Sequence, residues 1–416
     1  MSWVSEHPWT IGVGLLLAVG AGGCLRGPDP HLPPLRVGTS ADYPPFSSIG
    51  RKEIEGLDVE IARRFARDTG RRLELVTFRW PDLTRDLAAG RFDVAMSGVT
   101  IRPERTLVGT FTRPMVESGA VVLVRPEVAR TAAQVDTPGL RLGVNAGGYL
   151  ERVARRLFPH TTLVTSAGNQ ALPGLMETGT VEALLADDVE ADVFVPRLPP
   201  VGRVGPLTRD RKAYLVRDPG LAVELDGWLR AREADGILAD LRGRWLGTAR
   251  RHLRSGFESD LDALVALVDL RLAFMPFVAA AKERAGLPVT DREQEERVLD
   301  GVRATAGAHH LAPEPVVEFF RAQMAAARMI ERSFLATSQE RRSLVEPLDL
   351  TRDIRPALAA VSEAIVTRAA AVAGDREAFA KVDATALSER FDPFLTPLAD
   401  RRAIARGILA LRPTAR

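Results

Sequence analysis

Between Leu35 and about residue 247 the chain alternates short apolar runs with amphipathic stretches. Residues 35–39 read as a first strand. Residues 56–69 carry Leu57, Ile61 and Phe65 four apart and run into Gly70, which predicts a helix with Gly70 as its C-cap. Residues 73–78 and 92–97 are the next strands. A second set follows at 141–145, 162–165 and 183–186, then a strand at 213–216 and one helix over 221–245. Two α/β lobes are implied. From Glu258 the strand pattern vanishes, and long helical periods are interrupted near Leu287-Pro288, 311–315 and 344–349. The expected architecture is an α/β bilobal domain over residues 35–247, a linker over 248–257 and an all-α bundle over 258–416.

Length agrees with that division, since 416 residues at roughly 100–200 per domain make two or three domains. With 46% hydrophobic and 26% charged residues, a disordered chain, a collagen and a coiled-coil rod are excluded. Lys and Arg (56) nearly cancel Asp and Glu (54), and no block of like charge would track a phosphate backbone, so no nucleic acid partner is expected. The basic residues are almost all arginine. The lysines are Lys52, Lys212, Lys282 and Lys381.

Cys24 is the single cysteine; it cannot form an internal disulfide, and no Cys/His spacing suits zinc, so no metal and no cofactor are expected. The apolar stretch from Ile11 to Gly23 is too short to span a bilayer but suits a signal peptide, assigned to residues 1–24. An exported, periplasmic protein follows. Ala21, Gly22 and Gly23 before Cys24 look like a lipoprotein processing site, which would leave a lipid anchor on Cys24. Ordinary cleavage or an uncleaved anchor is the alternative, because Ala21 stands where leucine is usual and no Lys or Arg precedes the apolar run.

Tyr43-Pro44-Pro45-Phe46, Gly56-Leu57-Asp58-Val59, the run Phe92-Asp93-Val94-Ala95-Met96-Ser97-Gly98 and Glu104-Arg105 together resemble the amino-acid-type periplasmic solute-binding proteins. Within that group Trp80-Pro81, Asp187 to Glu190-Ala191, and Lys212-Ala213-Tyr214-Leu215 resemble the cyclohexadienyl dehydratases, which remove water and carbon dioxide from prephenate or arogenate. The residue types suit that chemistry on their own terms. Arg105 can grip a carboxylate bidentately and Lys212 adds a point charge, as a dicarboxylate needs. Loss of a ring hydroxyl needs a proton donor, and a carboxylic acid of raised pKa in an apolar cleft can supply it; Glu190 is the candidate. Tyr43 and Trp80 are expected to wall the ring, with Ser97, Asn145 and Asp187 as further substrate contacts.

Other readings of these residues stay open. Arg105 would serve a transport receptor equally well. Asp187, Asp188, Glu190 and Asp192 could be an acidic helix N-terminus, and Tyr43 and Trp80 could be core or rim residues. The chain also departs from the pattern, with Tyr149-Leu150 where a small polar pair is usual and Ala186 where threonine is usual before Asp187.

In the second domain Leu261, Val265, Val268 and Leu272 form a helical apolar stripe. Arg271 and Lys282 are eleven residues apart, close to three turns at ~3.6 residues each, so both cations share a face across an expected kink at Pro276. A solvated basic face would carry the same spacing. The surrounding residues Leu287-Pro288-Val289, Asp291, Glu295, Phe319-Phe320, Gln323 and Glu331, then Asp349-Leu350 and Arg355-Pro356, resemble the exported chorismate mutases of the AroQ class, gamma type. That resemblance implies positioning and electrostatics without a cofactor: Arg271 on a carboxylate, Lys282 and Glu331 facing the ether oxygen, and Gln294 in the substrate site. Gln294 and Ala327 replace an arginine and a polar side chain of the family, and a substrate arginine of the last-helix segment falls at Ala364. Arg292 or Arg297, and Arg368, are the cations nearest to the vacated positions.

The combined reading is a bifunctional enzyme of aromatic amino acid biosynthesis, converting chorismate to prephenate and then prephenate or arogenate to phenylpyruvate or phenylalanine. The alternative is a receptor for an amino acid or aromatic acid carrying a catalytically depleted bundle. Small dicarboxylates are the expected partners in the first case, and a homo-oligomer is compatible with the bundle.

Overall fold

In the computed structural model the strand Leu35–Thr39 is buried on both faces, because it is the inner member of a parallel trio with Leu73–Thr77 and Val94–Ala95. Leu215–Val216 and Thr110–Phe111 extend this sheet antiparallel. The second lobe repeats the plan in the order Thr162–Ser166, Arg141–Asn145, Ala183–Asp187, Ala120–Val124, Gly202–Val204. The structure describes residues 29–250 and 254–414; the signal-peptide and Cys24 expectations lie outside the described residues.

Helix α1 (Leu57–Asp68) buries Leu57, Ile61 and Phe65 against the first sheet. Its C-cap is Thr69, and Gly70 follows at φ +69°. In the second lobe α2 (Tyr149–Leu157) begins after a three-residue turn that follows Arg141–Asn145, and α3 (Asp188–Phe194) begins directly after Ala183–Asp187. The single helix expected over 221–245 is two helices, α4 (Pro219–Ala234) and α5 (Ile237–Leu246). The break falls at Gly236, whose φ of +85° is a left-handed conformation that glycine adopts without penalty.

The chain crosses between the lobes through two adjacent connections. There Val116–Ser118 pairs antiparallel with Asp210–Lys212. Both lobes therefore turn the carboxyl ends of their parallel strands to one cleft, which is where ligands enter open α/β sheets.

The helical domain opens with α6 (Gly256–Ala273), capped by the Ser255 hydroxyl, and continues through α7 (Met275–Arg284), α8 (Arg292–Ala308), α9 (Pro313–Leu335), α10 (Arg355–Gly374) and α11 (Leu398–Leu409). The expected Pro276 kink is a break at Phe274, with Pro276 in the first turn of α7, a position that needs no backbone N–H. Helix α10 packs along α6, α11 along α9, and α8 touches both α9 and α10. One apolar core holds these helices, and Ile101 of the first lobe packs against it.

The two domains share a charged junction. Arg113, with a side chain 1% exposed, contacts Asp226 at 2.7 Å, Asp260 at 3.2 Å and the Ser259 hydroxyl at 2.8 Å. Arg368 binds the same two aspartates from α10. Arg368, the cation nearest to the vacated Ala364 position, thus has its guanidinium engaged between the domains and is not on the wall of the bundle cavity.

Candidate active sites

The first cavity lies in the interlobe cleft and encloses about 50 Å³. Tyr43, Trp80, Arg105, Asn145, Asp187, Glu190 and Lys212 line it together with Thr100, Asn169, Tyr149 and Leu150. These residues come from both lobes and from the connections between them. Ser97 is displaced from the wall: its hydroxyl meets the Ser40 hydroxyl at 2.8 Å and accepts the Ser40 N–H, and Gly98 lines the cavity instead. Gly98 has φ +63°, and a Cβ there would stand 2.7 Å from Tyr43 and Phe46 atoms. Its N–H donates to Asp58 Oδ2 at 2.6 Å, and the Tyr214 hydroxyl donates to Oδ1 at 3.0 Å.

Asp187 ends its strand and caps α3, accepting the Val189 N–H at 3.1 Å. The acidic helix terminus and the site residue are thus one group. Lys212 Nζ stands 2.7 Å from Asp187 Oδ2 and donates to Thr100 Oγ1 at 2.9 Å. Glu190, on the first turn of α3, is 1% exposed, and its Oε1 is buried without a hydrogen-bond partner. Burial pushes its carboxyl well above the ordinary 4.5, Asp187 adds to the rise and Lys212 opposes it. Burial also lowers the Arg105 guanidinium to about 10. Arg105 Nη1 donates to the Thr100 carbonyl at 2.6 Å.

The lobes meet around this cavity. The Arg102 guanidinium lies 3.2 Å from the centroid of the Tyr149 ring, Arg152 pairs with Glu104, and Gln170 Nε2 donates to the Asp42 carbonyl at 3.4 Å. Tyr43 and Trp80 pack edge to face, centroids 5.6 Å apart, and Lys212 lies 5.5 Å from the Tyr43 centroid.

The second cavity, about 450 Å³, lies within the bundle. Arg271, Met275, Val278 and Lys282 line it at helical spacing despite the Phe274 break, so the shared face expected from sequence exists. Arg271 is 6% exposed, lies 5.5 Å from the Phe320 centroid, and keeps Nε and Nη1 buried without partners. Burial brings its guanidinium down to about 10. Lys282 donates to the Val289 carbonyl at 2.6 Å and to Glu331 Oε2 at 2.9 Å. Burial raises the Glu331 carboxyl above its usual range, with Lys282 pulling the other way.

Gln294 and Ala327 are on the wall; Ala364 and Arg292 are not. Arg355, quoted from the sequence only as part of a resemblance, is on it with Leu358, Ala359, Ser362 and Glu363. At roughly 100° per residue, Ala364 lies half a rotation from Arg355, and Arg368 shares the face of Ala364. Among the cations on this wall, Arg297 is engaged by Glu293 and Gln294, and Arg328 by Glu295 at 2.8 Å. Arg355 has the looser tie, 3.9 Å from Asp291. Its place on the wall follows from the helix face it shares with Leu358 and Ser362.

Residues 35–248 match the family of bacterial extracellular solute-binding proteins, family 3, and residues 261–332 match chorismate mutase type II. A cyclohexadienyl dehydratase of Pseudomonas aeruginosa is 34% identical over 220 residues, 51% of this chain and 82% of the relative. The ABC transporter arginine-binding protein 1 of Escherichia coli is 26% identical over 221 residues, 51% of this chain and 90% of the relative. Among solved structures, an ancestral amino acid-binding protein described as a precursor of cyclohexadienyl dehydratase is 28% identical, covers 51% of this chain and 95% of its own, and has a TM-score of 0.49.

Proposed function

Because the chain belongs to the bacterial extracellular solute-binding proteins, family 3, and carries a chorismate mutase type II domain, we propose that it is a bifunctional enzyme that converts chorismate to prephenate in the bundle and removes water and carbon dioxide from the product in the cleft. The observation that carries the dehydratase half is Glu190: a buried carboxyl with a free oxygen, held above its ordinary pKa, beside Lys212 and opposite apolar walls.

In the cleft Arg105 and Lys212 hold the two carboxylates of the substrate. Glu190 gives its proton to the ring hydroxyl as the C–O bond breaks. The ring carboxylate leaves as carbon dioxide, and its bonding electron pair enters the ring, which becomes aromatic. Solvent then returns a proton to Glu190. Tyr43, Trp80 and Tyr149 keep competing water from the reacting ring.

In the bundle Arg271 and Arg355 hold the two carboxylates of chorismate in the folded shape that brings the reacting carbons together. Lys282 and Glu331 face the ether oxygen, where negative charge grows as its bond breaks. No nucleophile is needed. Gln294 contributes an amide contact to the same site.

Membership of an extracellular family supports export, and attachment through Cys24 is part of the proposal, readable from the mass of the mature N-terminus. The test of function is incubation of the purified protein with chorismate and, separately, with prephenate. Phenylpyruvate from both is the expected result. Binding without turnover of prephenate would demote the bilobal domain to a receptor.

A further inference from the structure

A third cavity, about 640 Å³, lies where the two connections meet the bundle, and it shares no lining residue with the cleft or the bundle cavity. Its wall draws on every part of the junction. Ser118 and Arg209 come from the connections, Leu246 from α5, which packs on the first lobe, Asp188 from the first turn of α3 in the second lobe, and Phe394 from the bundle. Neither proposed reaction uses this cavity.

The charged side chains on its wall are Arg209, Arg242, Arg250, Arg254, Glu117 and Asp188. Arg242 makes two hydrogen bonds to Glu233, at 2.6 and 2.7 Å. Arg209 meets Glu117 at 2.9 Å, and Arg250 meets Asp188 at 2.9 Å. Arg254 is held less firmly. Its Nη1 reaches only the Pro114 carbonyl and Asp262, both at 3.4 Å, and Asp262 stands outside the wall with Arg390 at 3.0 Å. The wall thus carries one guanidinium in excess. Beside it are the apolar side chains of Met115, Leu246, Pro393 and Phe394, and the Phe394 residue is 55% exposed. A guanidinium with donors to spare takes a carboxylate, and an uncovered aromatic ring takes an apolar body.

We propose that this cavity is a regulatory site for a monoanionic arylalkyl carboxylate, gripped by Arg254 and packed on Phe394 and Leu246, and that its occupant holds the lobes together. Leu246 and Asp188 belong to different lobes, so the width of the cavity follows the angle between them. A ligand that fits it with the lobes in contact favours that arrangement over an open one. The link to the cleft is short: the Ser118 hydroxyl donates to Asp187 Oδ2 at 3.0 Å, and Asp188 is the next residue after Asp187. Substrate and product pass only when the lobes part, because the cleft between them encloses about 50 Å³. The effect on turnover rests on the dehydratase reading above, whereas the ligand class does not. The aromatic product of that reaction is a ligand of this class; its substrate, with two carboxylates and no aromatic ring, is not.

The experiment titrates the full-length protein by calorimetry with phenylpropionate and with phenylethylamine, a similar body carrying a cation. Saturable binding of the acid alone is expected. It should persist in Arg105→Gln, a cleft variant, and weaken about tenfold or more in Arg254→Gln, the worth of a charge-assisted contact. Because an arginine at the junction also serves folding, Phe394→Ala is the second variant, expected to weaken binding with the melting temperature unchanged. In prephenate dehydration the acid should lower kcat in a way that saturating prephenate does not relieve and that Arg254→Gln abolishes. No binding of the acid, or binding lost in Arg105→Gln and kept in both other variants, would overturn the site. Equal binding of the amine would overturn the ligand class. Inhibition fully relieved by prephenate, or an unchanged kcat, would overturn the hold on the lobes. Turnover of no prephenate would overturn the dehydratase reading, and the titrations would still decide the site.

Discussion

Arg211 Nη1 donates to Asp269 Oδ2 across the domain junction at 2.5 Å, with both side chains less than a tenth exposed. The next residue after Arg211 is Lys212 of the cleft, and two residues after Asp269 comes Arg271 of the bundle cavity. Asp269 Oδ2 also accepts the Asp392 N–H at 3.0 Å. One ion pair therefore registers a strand of the first site against a helix of the second. Asp269→Asn should cost roughly 3–5 kcal/mol, the usual penalty for stranding one member of a buried pair, measured by urea unfolding. It should lower both activities together, unlike a change inside either cavity.

Glu190→Gln removes the proposed proton donor and keeps the shape. Dehydration should fall by about 10²–10⁴-fold with mutase activity intact, followed by phenylpyruvate and prephenate assays on one preparation. In the native protein the rate should decline as pH rises through the Glu190 pKa, which burial holds above 4.5, because the acid works only while protonated. The sign for stability is the same: a raised folded pKa means that stability is complete below the unfolded value and is lost as pH rises toward the folded one. Glu190→Gln should therefore melt higher than the native protein at neutral pH and no higher at pH 4, seen by calorimetry.

Arg355→Ala should raise KM for chorismate and lower kcat/KM by about tenfold to a hundredfold, the worth of a charge-assisted contact, while Arg292→Ala should change neither. Loss of one carboxylate grip is felt mainly in binding. Continuous chorismate absorbance assays would separate the two parameters, and an unaltered Arg355→Ala would remove that arginine from the site.

Arg368→Ala should act on the junction and leave chemistry alone. Burial works to raise the Asp226 carboxyl, yet Arg368 and Arg113 together hold it below 3.8. A depressed carboxyl contributes stability that is present above its unfolded pKa and disappears as pH falls through the folded one. Without Arg368 that loss begins at higher pH, so the midpoint of acid unfolding should move up. Circular dichroism against pH would record the move.

Much of the fold was legible because period is local information. Strands such as Arg141–Asn145 and the apolar side of α1 follow from residues near one another in the chain. The α4–α5 boundary was not legible from the apolar period, which runs on through Gly236; the break depends on the backbone turning left-handed there. The cleft residues Arg105, Glu190 and Lys212 were legible as chemistry, each at or near the end of a predicted strand. Ser97 looked equivalent in sequence, and only the packed chain decided that its hydroxyl meets Ser40 while Gly98 faces the cavity.

The sequence alone determined two domains of different class, the alternation that turns strand ends toward one cleft, and the helical spacing that puts Arg271 and Lys282 on one face. Tertiary structure decided partnership. Whether Arg355 or Arg368 reaches the bundle cavity depends on which side of α10 faces α8, and the two arginines point to different neighbours because the helix rotates them apart. Whether Asp187 is free or neutralised depends on Lys212 arriving from a strand 25 residues later in the chain. Charges find their partners through space, and a burial that raises Glu190 or lowers Arg105 exists only once both lobes and the connecting strands have closed around them.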